Sequence, residues 1–408
     1  MEIKNETLAS LSVDGKGSYG IGASAVEHSD ELYTYLRITD IRDDGTLNMN
    51  DLKSVDDEKA AQYLLKPNDI VFARTGASTG RNYFYDGTDG ELVYAGFLIK
   101  FSIDPSKVNP KYIKYYCMSE AYKGWIHSFN TGSTRGNINA QTLSGMPVPV
   151  PSRTQQDGIV NILSSIEQKI RKNAEINKNL EKQALAIFYH HFMDFAPYGD
   201  TAPSDWMEVS LDDVCIRITD GSHYSPADSP DSPYPMYSVK DMDTYGFNPL
   251  KCKHISEDEF RKMQKSDCVP RLNDILVAKD GSYLKEIFIC SEEKEEAILS
   301  SIAIFRPNTS VIMPEILLYF LKQPSVRKDV GDNYVSGSAL PRIVLKDFKK
   351  YRFRLPTMNA QLKIGSALHA IRMQIKANID EIQRLSSIRD TLLPRLVSGE
   401  LDVSALGL

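Results

Sequence analysis

The stretch KPNDIVFARTGASTGR, residues 66–81, is written a second time as RLNDILVAKDGSYLKE, residues 271–286. Asn68, Asp69, Ile70, Ala73 and Gly76 return as Asn273, Asp274, Ile275, Ala278 and Gly281, each 205 positions later. The same displacement carries Gly132, Ser133, Pro151, Gln156, Ile170 and Asn173 onto Gly337, Ser338, Pro356, Gln361, Ile375 and Asn378. Chance does not hold one offset over such a distance, so the chain is an internal repeat of two long halves. Upstream the phase slips: TDIRDDG, residues 39–45, is echoed by KDMDTYG, residues 240–246. Further up, GKGSYG, residues 15–20, lies against DGSHYS, residues 220–225, with Gly15 and Gly17 both open as partners of Gly221. GKGSYG also has the spacing of a dinucleotide-binding loop, but that motif works only between a buried strand and a helix start. The flanking MEIKNETLASLSVD and IGASAVEHSDELYTYLRITDI offer neither.

Within each half the texture changes once. Up to about Pro151, and from about Asp205 to Pro356, short alternating runs such as YLRITDI, DIVFART, DILVAKD and YRFRLP predict a mixed, mainly β domain. From Thr154, apolar residues fall instead at Ile159, Leu163, Ile166, Ile170, Leu180, Ala184 and Ile187; from Thr357 they fall at Ile364, Leu368, Ile371, Ile375, Ile382, Leu385 and Leu392. Spacings of three and four make a heptad seam, with Asn173 and Asn378 as polar residues on it. Each run follows a proline, and Pro394 should end or kink the second. Helices of roughly 35 to 40 residues would be about 55 Å long. Such helices are not stable alone, so each must bury its stripe, most simply against the other. Because the chain crosses a domain between them, they should run antiparallel about an approximate twofold axis, giving a dumbbell. The expected fold class is α+β: two mixed, mainly β domains, 1–151 and 198–356, separated by two long antiparallel helices in a coiled coil. Those helices occupy 152–197 and, with a C-terminal tail, 357–408, and the whole forms a pseudo-twofold internal repeat. Ile162, Ile176, Ile379 and Ile388 widen the stripe beyond a two-helix seam, which suggests that another protein packs there.

A chain of 408 residues suggests two or three domains, and 42% hydrophobic with 25% charged residues is ordinary for a soluble globular protein. No apolar run approaches bilayer length and the start lacks a signal-peptide pattern, so a cytoplasmic location is expected. Cys117, Cys215, Cys252, Cys268 and Cys290 are odd in number and form no C-x-x-C pair. They read as buried or idle thiols, with neither a disulfide frame nor a zinc site. A net charge of −6 argues against non-specific nucleic-acid binding by the chain as a whole, which leaves local patches to be judged separately. Catalytic signals are missing. NPKY, residues 109–112, lacks the second proline of an amino-methyltransferase motif, and GASTGR, residues 76–81, is too short between its glycines for a P-loop. DDEK, residues 56–59, reads as a solvated face, and His190 and His191 as packing or solvent-facing side chains. No catalytic residue, metal site or cofactor of its own is expected.

Binding chemistry does recur at matched places. The opening loops carry Lys16, Ser18 and Tyr19 in one half and Ser222, His223 and Tyr224 in the other. ARTGASTGR supplies Arg74, Thr75, Ser78, Thr79 and Arg81; AKDGSYLK supplies Lys279, Asp280, Ser282, Tyr283 and Lys285. GSTRGN adds Ser133, Thr134, Arg135 and Asn137, and GSALPR ends on Arg342. Arginine and asparagine suit bidentate contacts with guanine and adenine edges, while Ser, Thr and Lys suit phosphates. RIVLKDFKKYRFR, residues 342–354, is strongly basic against a single acid, a positive surface that the acidic average conceals. Any one of these loops could be ordinary surface; their recurrence in two copies makes them candidate DNA-binding residues.

Four strings resemble the specificity (S) subunits of type I restriction-modification systems. GMPVPVPSRTQQDGIVNIL, residues 145–163, is similar to the entry into that family's first conserved helix, and AIFYHHFMDFAPYG, residues 186–199, to its exit. DWMEVSLDDVCIRITDGSHYSP, residues 205–226, resembles the opening of a target recognition domain, and RDTLLPRLVSGELDV, residues 389–403, the C-terminal signature. The W-x-x-V-x-L-x-D pattern from Trp206 to Asp213 has no counterpart at the N-terminus, so the first domain is abbreviated there or starts differently. The resemblance implies a non-catalytic subunit whose two recognition domains bind double-stranded DNA. Each domain would read from the major groove one half of a bipartite, non-palindromic site. It also implies two methyltransferase (M) subunits and restriction/translocase (R) subunits as partners, which would hold the S-adenosylmethionine, ATP and Mg²⁺. The alternative is a two-headed DNA-binding scaffold or decoy that acts without a functional methyltransferase partner.

Overall fold

The computed structural model describes residues 3–49, 51–129, 137–337 and 339–403, with Lys251 described by its backbone alone. Ser133, Thr134 and Arg135 of the candidate set lie outside the described residues. The protein is α+β and divides into two compact units, Met1–Lys172 with Asp380–Leu408, and Asn173–Ile379.

The two units repeat one strand order. In the first, an antiparallel sheet runs Ser18–Tyr19, Leu98–Ser102, Asp69–Ala73, Asn82–Tyr85. In the second, the corresponding order is Cys215–Asp220, Ile302–Pro307, Ile275–Ala278, Ile287–Ile289. A second sheet joins Ala25–Glu27, Lys53–Val55, Tyr33–Leu36 and Leu92–Tyr94, its last pair parallel. Its counterpart joins Lys253–Ile255, Tyr234–Tyr237 and Ala297–Ile298, again with the last pair parallel. Entry and exit strands also match: Lys4–Thr7 pairs Pro147–Val150, and Met207–Ser210 pairs Arg352–Leu355.

The repeated Asn-Asp-Ile is a turn running into a buried strand. Asn68 and Asn273 hold φ of 77° and 69°, a left-handed conformation that asparagine tolerates better than most side chains. The next residue closes the turn with its carboxylate, which accepts from Lys66 N at 2.8 Å and, in the other copy, from Arg271 N at 2.9 Å. Both carboxylates are buried, and each has a countercharge: Lys100 Nζ lies 3.4 Å from Asp69 and Arg306 Nε 2.8 Å from Asp274. Burying a carboxylate without such a partner would be costly.

Two long helices, Arg153–Phe192 and Met358–Val397, each have 40 residues, about 60 Å at 1.5 Å per residue. A buried glutamine clips the first turn of each to its own domain. Gln156 accepts from Asn109 N at 2.7 Å and donates to Pro151 O at 2.8 Å. Gln361 accepts from Met313 N at 2.9 Å and donates to Pro356 O at 2.9 Å and Val311 O at 3.1 Å.

Every expected seam residue is buried or half-buried. In the first unit, Ile159 and Leu163 share a core with Leu393, Leu396 and Val397, and Lys169 Nζ lies 3.4 Å from Glu381. In the second, Ala184 and Phe188 share a core with Ile364 and Leu368. Toward the helix ends the buried stripe has drifted by one position, to Phe188 beside the expected Ile187 and to Leu393 beside Leu392. A straight helix turns every 3.6 residues, not 3.5, and accumulates such a shift. Asn173 and Asn378 are both buried, but the side chain facing Asn378 is Asn177, the next residue of the same three-four register and not one of the two expected polar residues. Asn378 Nδ2 donates to Asn177 Oδ1 at 2.7 Å, and Asn177 Nδ2 donates to Ile375 O at 3.4 Å. Pro394 does not end its helix, which runs on to Val397. Proline forfeits one backbone bond, but burial of Leu393, Leu396 and Val397 holds this last turn, and Ser398 N closes on Pro394 O at 2.9 Å. No described helix is long and apolar enough to cross a membrane.

Candidate nucleic-acid interface

The loops leaving the buried central strands share one closing bond in both units. Ala73 N donates to Arg81 O at 2.8 Å, and Ala278 N to Glu286 O at 3.0 Å. The later loop in each unit is then laid alongside the earlier one. Thr75 bridges Asn137 and Asp280 bridges Arg342; Ile138 N reaches Arg74 O at 2.9 Å and Ile343 N reaches Lys279 O at 3.0 Å. Residues about 60 apart in sequence thus meet at matched places. Arg74, Thr75 and Asn137 gather in one unit; Lys279, Asp280 and Arg342 gather in the other.

The opening loops align differently from expectation. Gly20 N donates to Leu98 O at 3.2 Å and Ile21 N to Tyr94 O at 3.1 Å; Gly221 N donates to Ile302 O at 3.1 Å and Ser222 N to Ile298 O at 2.9 Å. Gly221 therefore corresponds to Gly20, and neither Gly15 nor Gly17 is its partner. The reason is steric. A Cβ on Gly20 would stand 2.2 Å from Tyr94 O, and one on Gly221 would stand 2.2 Å from Ile298 O, so only glycine allows this approach. It follows that Tyr19 corresponds to Asp220, and that Ser222, His223 and Tyr224 do not stand opposite Ser18 and Tyr19.

The candidate side chains divide by what they touch. The Arg74 guanidinium sits 4.9 Å from the centre of the Tyr19 ring, and Tyr19 OH accepts from Ala140 N at 3.1 Å. Arg74 Nε is buried without a hydrogen-bond partner, so its interaction there is with the ring face. At the matched place, buried Lys279 donates to Asp220 Oδ2 at 2.6 Å, and His223 Nε2 lies 3.3 Å from the same oxygen. Arg81 is also held: Nε donates to Asp43 Oδ1 at 2.7 Å and the guanidinium reaches Ile41 O at 3.2 Å. Glu286 occupies the corresponding position in the other unit, and burial pushes its carboxyl above the ordinary range. Ser222 Oγ folds onto the Tyr224 backbone, Thr79 Oγ1 donates to Gly76 O, Ser18 Oγ lies 3.0 Å from Tyr94 OH, and Tyr283 packs against the core. Thr75 and Ser78 are half-buried. Lys16, Tyr19, Asn137, His223, Tyr224, Ser282, Lys285 and Arg342 are exposed. The first group shapes the loops, and the exposed group is what an approaching ligand meets.

Sequence reasoning did not pick Asp43 or Asp220 as the acids that hold Arg81 and Lys279, nor Lys346 and Lys349 individually. The basic stretch 342–354 was the signal for the last two. All five cysteines are free; burial raises the Cys215 thiol to about 12, and among the described residues no cluster of His, Cys, Asp or Glu could hold a metal.

Residues 28–182 and 203–385 match the family described as the type I restriction modification DNA specificity domain. Relatives include the type I restriction enzyme MjaIX specificity subunit of Methanocaldococcus jannaschii, 24% identical over 313 residues, 72% of this chain and 70% of that protein. The type I restriction enzyme HindI specificity subunit of Haemophilus influenzae is 23% identical over 408 residues, covering 84% of this chain and 88% of the relative. The crystal structure of the type I restriction-modification system S subunit from M. genitalium matches 97% of this chain and 96% of its own with a TM-score of 0.56 at 16% identity, a likeness of fold. With most of its length matched in two successive segments, this chain belongs to the type I restriction-modification DNA specificity family.

Proposed function

We propose that the chain is the DNA-reading subunit of a type I restriction-modification complex, and that its two recognition domains, 1–151 and 198–356, read two different half-sites. One observation carries this reading: a single backbone framework is built twice while the side chains at matched loop positions differ. Exposed Asn137 in one copy stands where exposed Arg342 stands in the other, and Tyr19 and the loop-shaping Arg81 stand where Asp220 and Glu286 do. Arginine favours guanine edges and asparagine adenine edges, so the two surfaces prefer different bases and the target is bipartite and non-palindromic. The segments 152–197 and 357–408 act as an antiparallel spacer, a coiled coil that relates the copies by a pseudo-twofold. In support, Gln155 contacts Asp402 while Lys169 contacts Glu381, so partner numbers fall as numbers on the first helix rise. A fixed spacer sets the distance between half-sites.

The chain itself does no chemistry in this reading. Two M subunits methylate a flipped adenine with S-adenosylmethionine, and R subunits use ATP and Mg²⁺ to cleave, all in the cytoplasm. The test is methylome sequencing of a methylation-free host expressing this chain with its M subunit. A bipartite adenine-methylated motif that requires the chain is expected; no chain-dependent motif refutes the reading. Exchanging residues 1–151 should change one half-site only, and matched shortening of both helices should change the spacer only. Altered bases after helix shortening would refute the spacer role.

A further inference from the structure

We infer that the second unit holds a phosphate-binding pocket where the first holds a tyrosine ring. Resting on the DNA-reading role proposed above, its occupant is a backbone phosphate of the duplex. In the first unit the Tyr19 side chain spans the gap between Arg74, 4.9 Å from its ring centre, and Ala140 N, 3.1 Å from its hydroxyl. The corresponding residue, Asp220, is shorter and folds back onto Lys279 at 2.6 Å. The ring's space is left as a cavity of about 370 Å³ whose lining includes Thr219, Asp220, Lys279, Ile343, Lys346 and Lys349.

The charge of the lining changes along with its shape. Lys279 is offset by Asp220 at 2.6 Å and Asp280 at 3.8 Å, while Lys346 and Lys349 enter no ion pair among the described residues; the pairs of this stretch join Lys350 to Asp347 at 3.9 Å and Arg352 to Glu208 at 3.6 Å. The two lysines are three positions apart around the short helix Leu345–Phe348, which places them on one side of it. At the matched displacement of 205, the first unit has Gln141 and Ser144, both uncharged. Positive excess is thus added in the half where the ring is missing, and an anion satisfies both differences. Lysine ammonium groups suit a phosphate, which offers several acceptor oxygens and needs no planar fork. The cavity borders Lys279, from which the exposed Ser282 and Lys285 loop departs, so a strand whose bases meet that loop can bring a phosphate here.

Fluorescence anisotropy of the full chain on duplexes, over a range of salt, tests this. Lys346→Gln with Lys349→Gln, and separately Asp220→Tyr, which restores the ring of the first unit, should weaken binding about 3- to 10-fold on target and unrelated duplex alike. The slope of log affinity against log salt should fall by about 1. Lys346→Arg with Lys349→Arg should retain binding, and thermal melting verifies that each variant folds. If the glutamine and tyrosine variants keep wild-type affinity and slope while the wild type still prefers its target, the pocket is wrong and the DNA-reading role stands. If the wild type itself prefers no duplex, the role fails. Phosphorus resonance broadening of inorganic phosphate by the wild type, together with unchanged DNA binding in the variants, would reassign the site to a small anion and overturn the backbone occupant.

Discussion

Replacing Asn378 with leucine takes from Asn177 the hydrogen bond its Oδ1 receives at 2.7 Å, in a place where the two residues are 2% and 7% exposed. Water cannot reach the orphaned carbonyl, and leaving a buried acceptor unsatisfied costs about 1–3 kcal/mol. Asn177→Leu strands the Asn378 amide in the same way, although Asn378 Oδ1 still accepts from Gln374 at 2.9 Å. Each single variant should lose about 2 kcal/mol, whereas the double variant removes both polar groups, puts apolar surface in the seam and should come out near neutral. The expected coupling is therefore about 4 kcal/mol, well above the roughly 0.5 kcal/mol at which independent sites cease to add. Urea unfolding measures it, and the chain supplies its own probes: of its two tryptophans, Trp125 lies in the first unit and Trp206 in the second. With Trp125→Phe as background, Trp206 fluorescence follows the unit that holds the asparagine pair. A double variant as unstable as the sum of the singles would show that the pair does not act as a buried polar lock.

Gly221→Ala should lower the urea midpoint seen by Trp206, and Gly20→Ala that seen by Trp125. Each new Cβ meets a carbonyl at 2.2 Å and forces strands apart, about 1–3 kcal/mol or more; unchanged midpoints would undo the revised loop alignment. Gln361→Leu strands Met313 N–H, so the second unit should lose about 1–3 kcal/mol in the same assay, and a loss near zero would mean that the clip is dispensable. Arg81→Ala should cost less than about 1 kcal/mol of stability, since Asp43 is largely exposed, yet weaken binding to one half-site. Asp43→Ala should weaken the same half-site if Arg81 acts by positioning the loop; a silent Asp43→Ala beside a strong Arg81→Ala would assign Arg81 to DNA directly.

Much of the fold was legible because the repeated letters are the ones that fix backbone. Asn68 and Asn273 announce a left-handed turn, Asp69 and Asp274 close it, and Gln156 and Gln361 clip the helices, so one displacement of 205 revealed the framework. The opening loops were misread because similarity of Gly, Ser and Tyr letters competed with a steric requirement that letters do not show. The displacement of 201 that relates TDIRDDG to KDMDTYG also carries Gly20 onto Gly221, and it was the better guide. Asn177 keeps the three-four spacing between Asn173 and Leu180, but it is polar and its counterpart 205 positions on is Ile382, so neither the apolar stripe nor the repeat marked it. For the site, the displacement matched Thr75 to Asp280 and Asn137 to Arg342, but that Thr75 bridges Asn137 and Asp280 bridges Arg342 within each unit is a contact that no displacement between copies encodes. Nor does the displacement show the inward turn of Arg74 and Lys279, since long cationic side chains are mostly exposed, and it is the Tyr19 ring that draws in Arg74 and the Asp220 and Asp280 carboxylates that draw in Lys279.

What recurs and what differs between the halves separates two kinds of constraint. Ala73 and Ala278 make the same backbone bond to the residue eight positions on, yet that residue is Arg81 in one unit and Glu286 in the other. Thr75 and Asp280 occupy the same bridge but face Asn137 and Arg342. If the loops served only to close the sheet, nothing would favour opposite charges at positions whose backbone geometry is kept. If the two units read one repeated sequence, the side chains would be held as closely as the glycines. Retained geometry with exchanged chemistry is what two different half-sites require of one scaffold. It follows that substitutions at these matched positions should change which bases are preferred, while substitutions at Asn68, Asn273, Gly20 or Gly221 should change whether a unit folds.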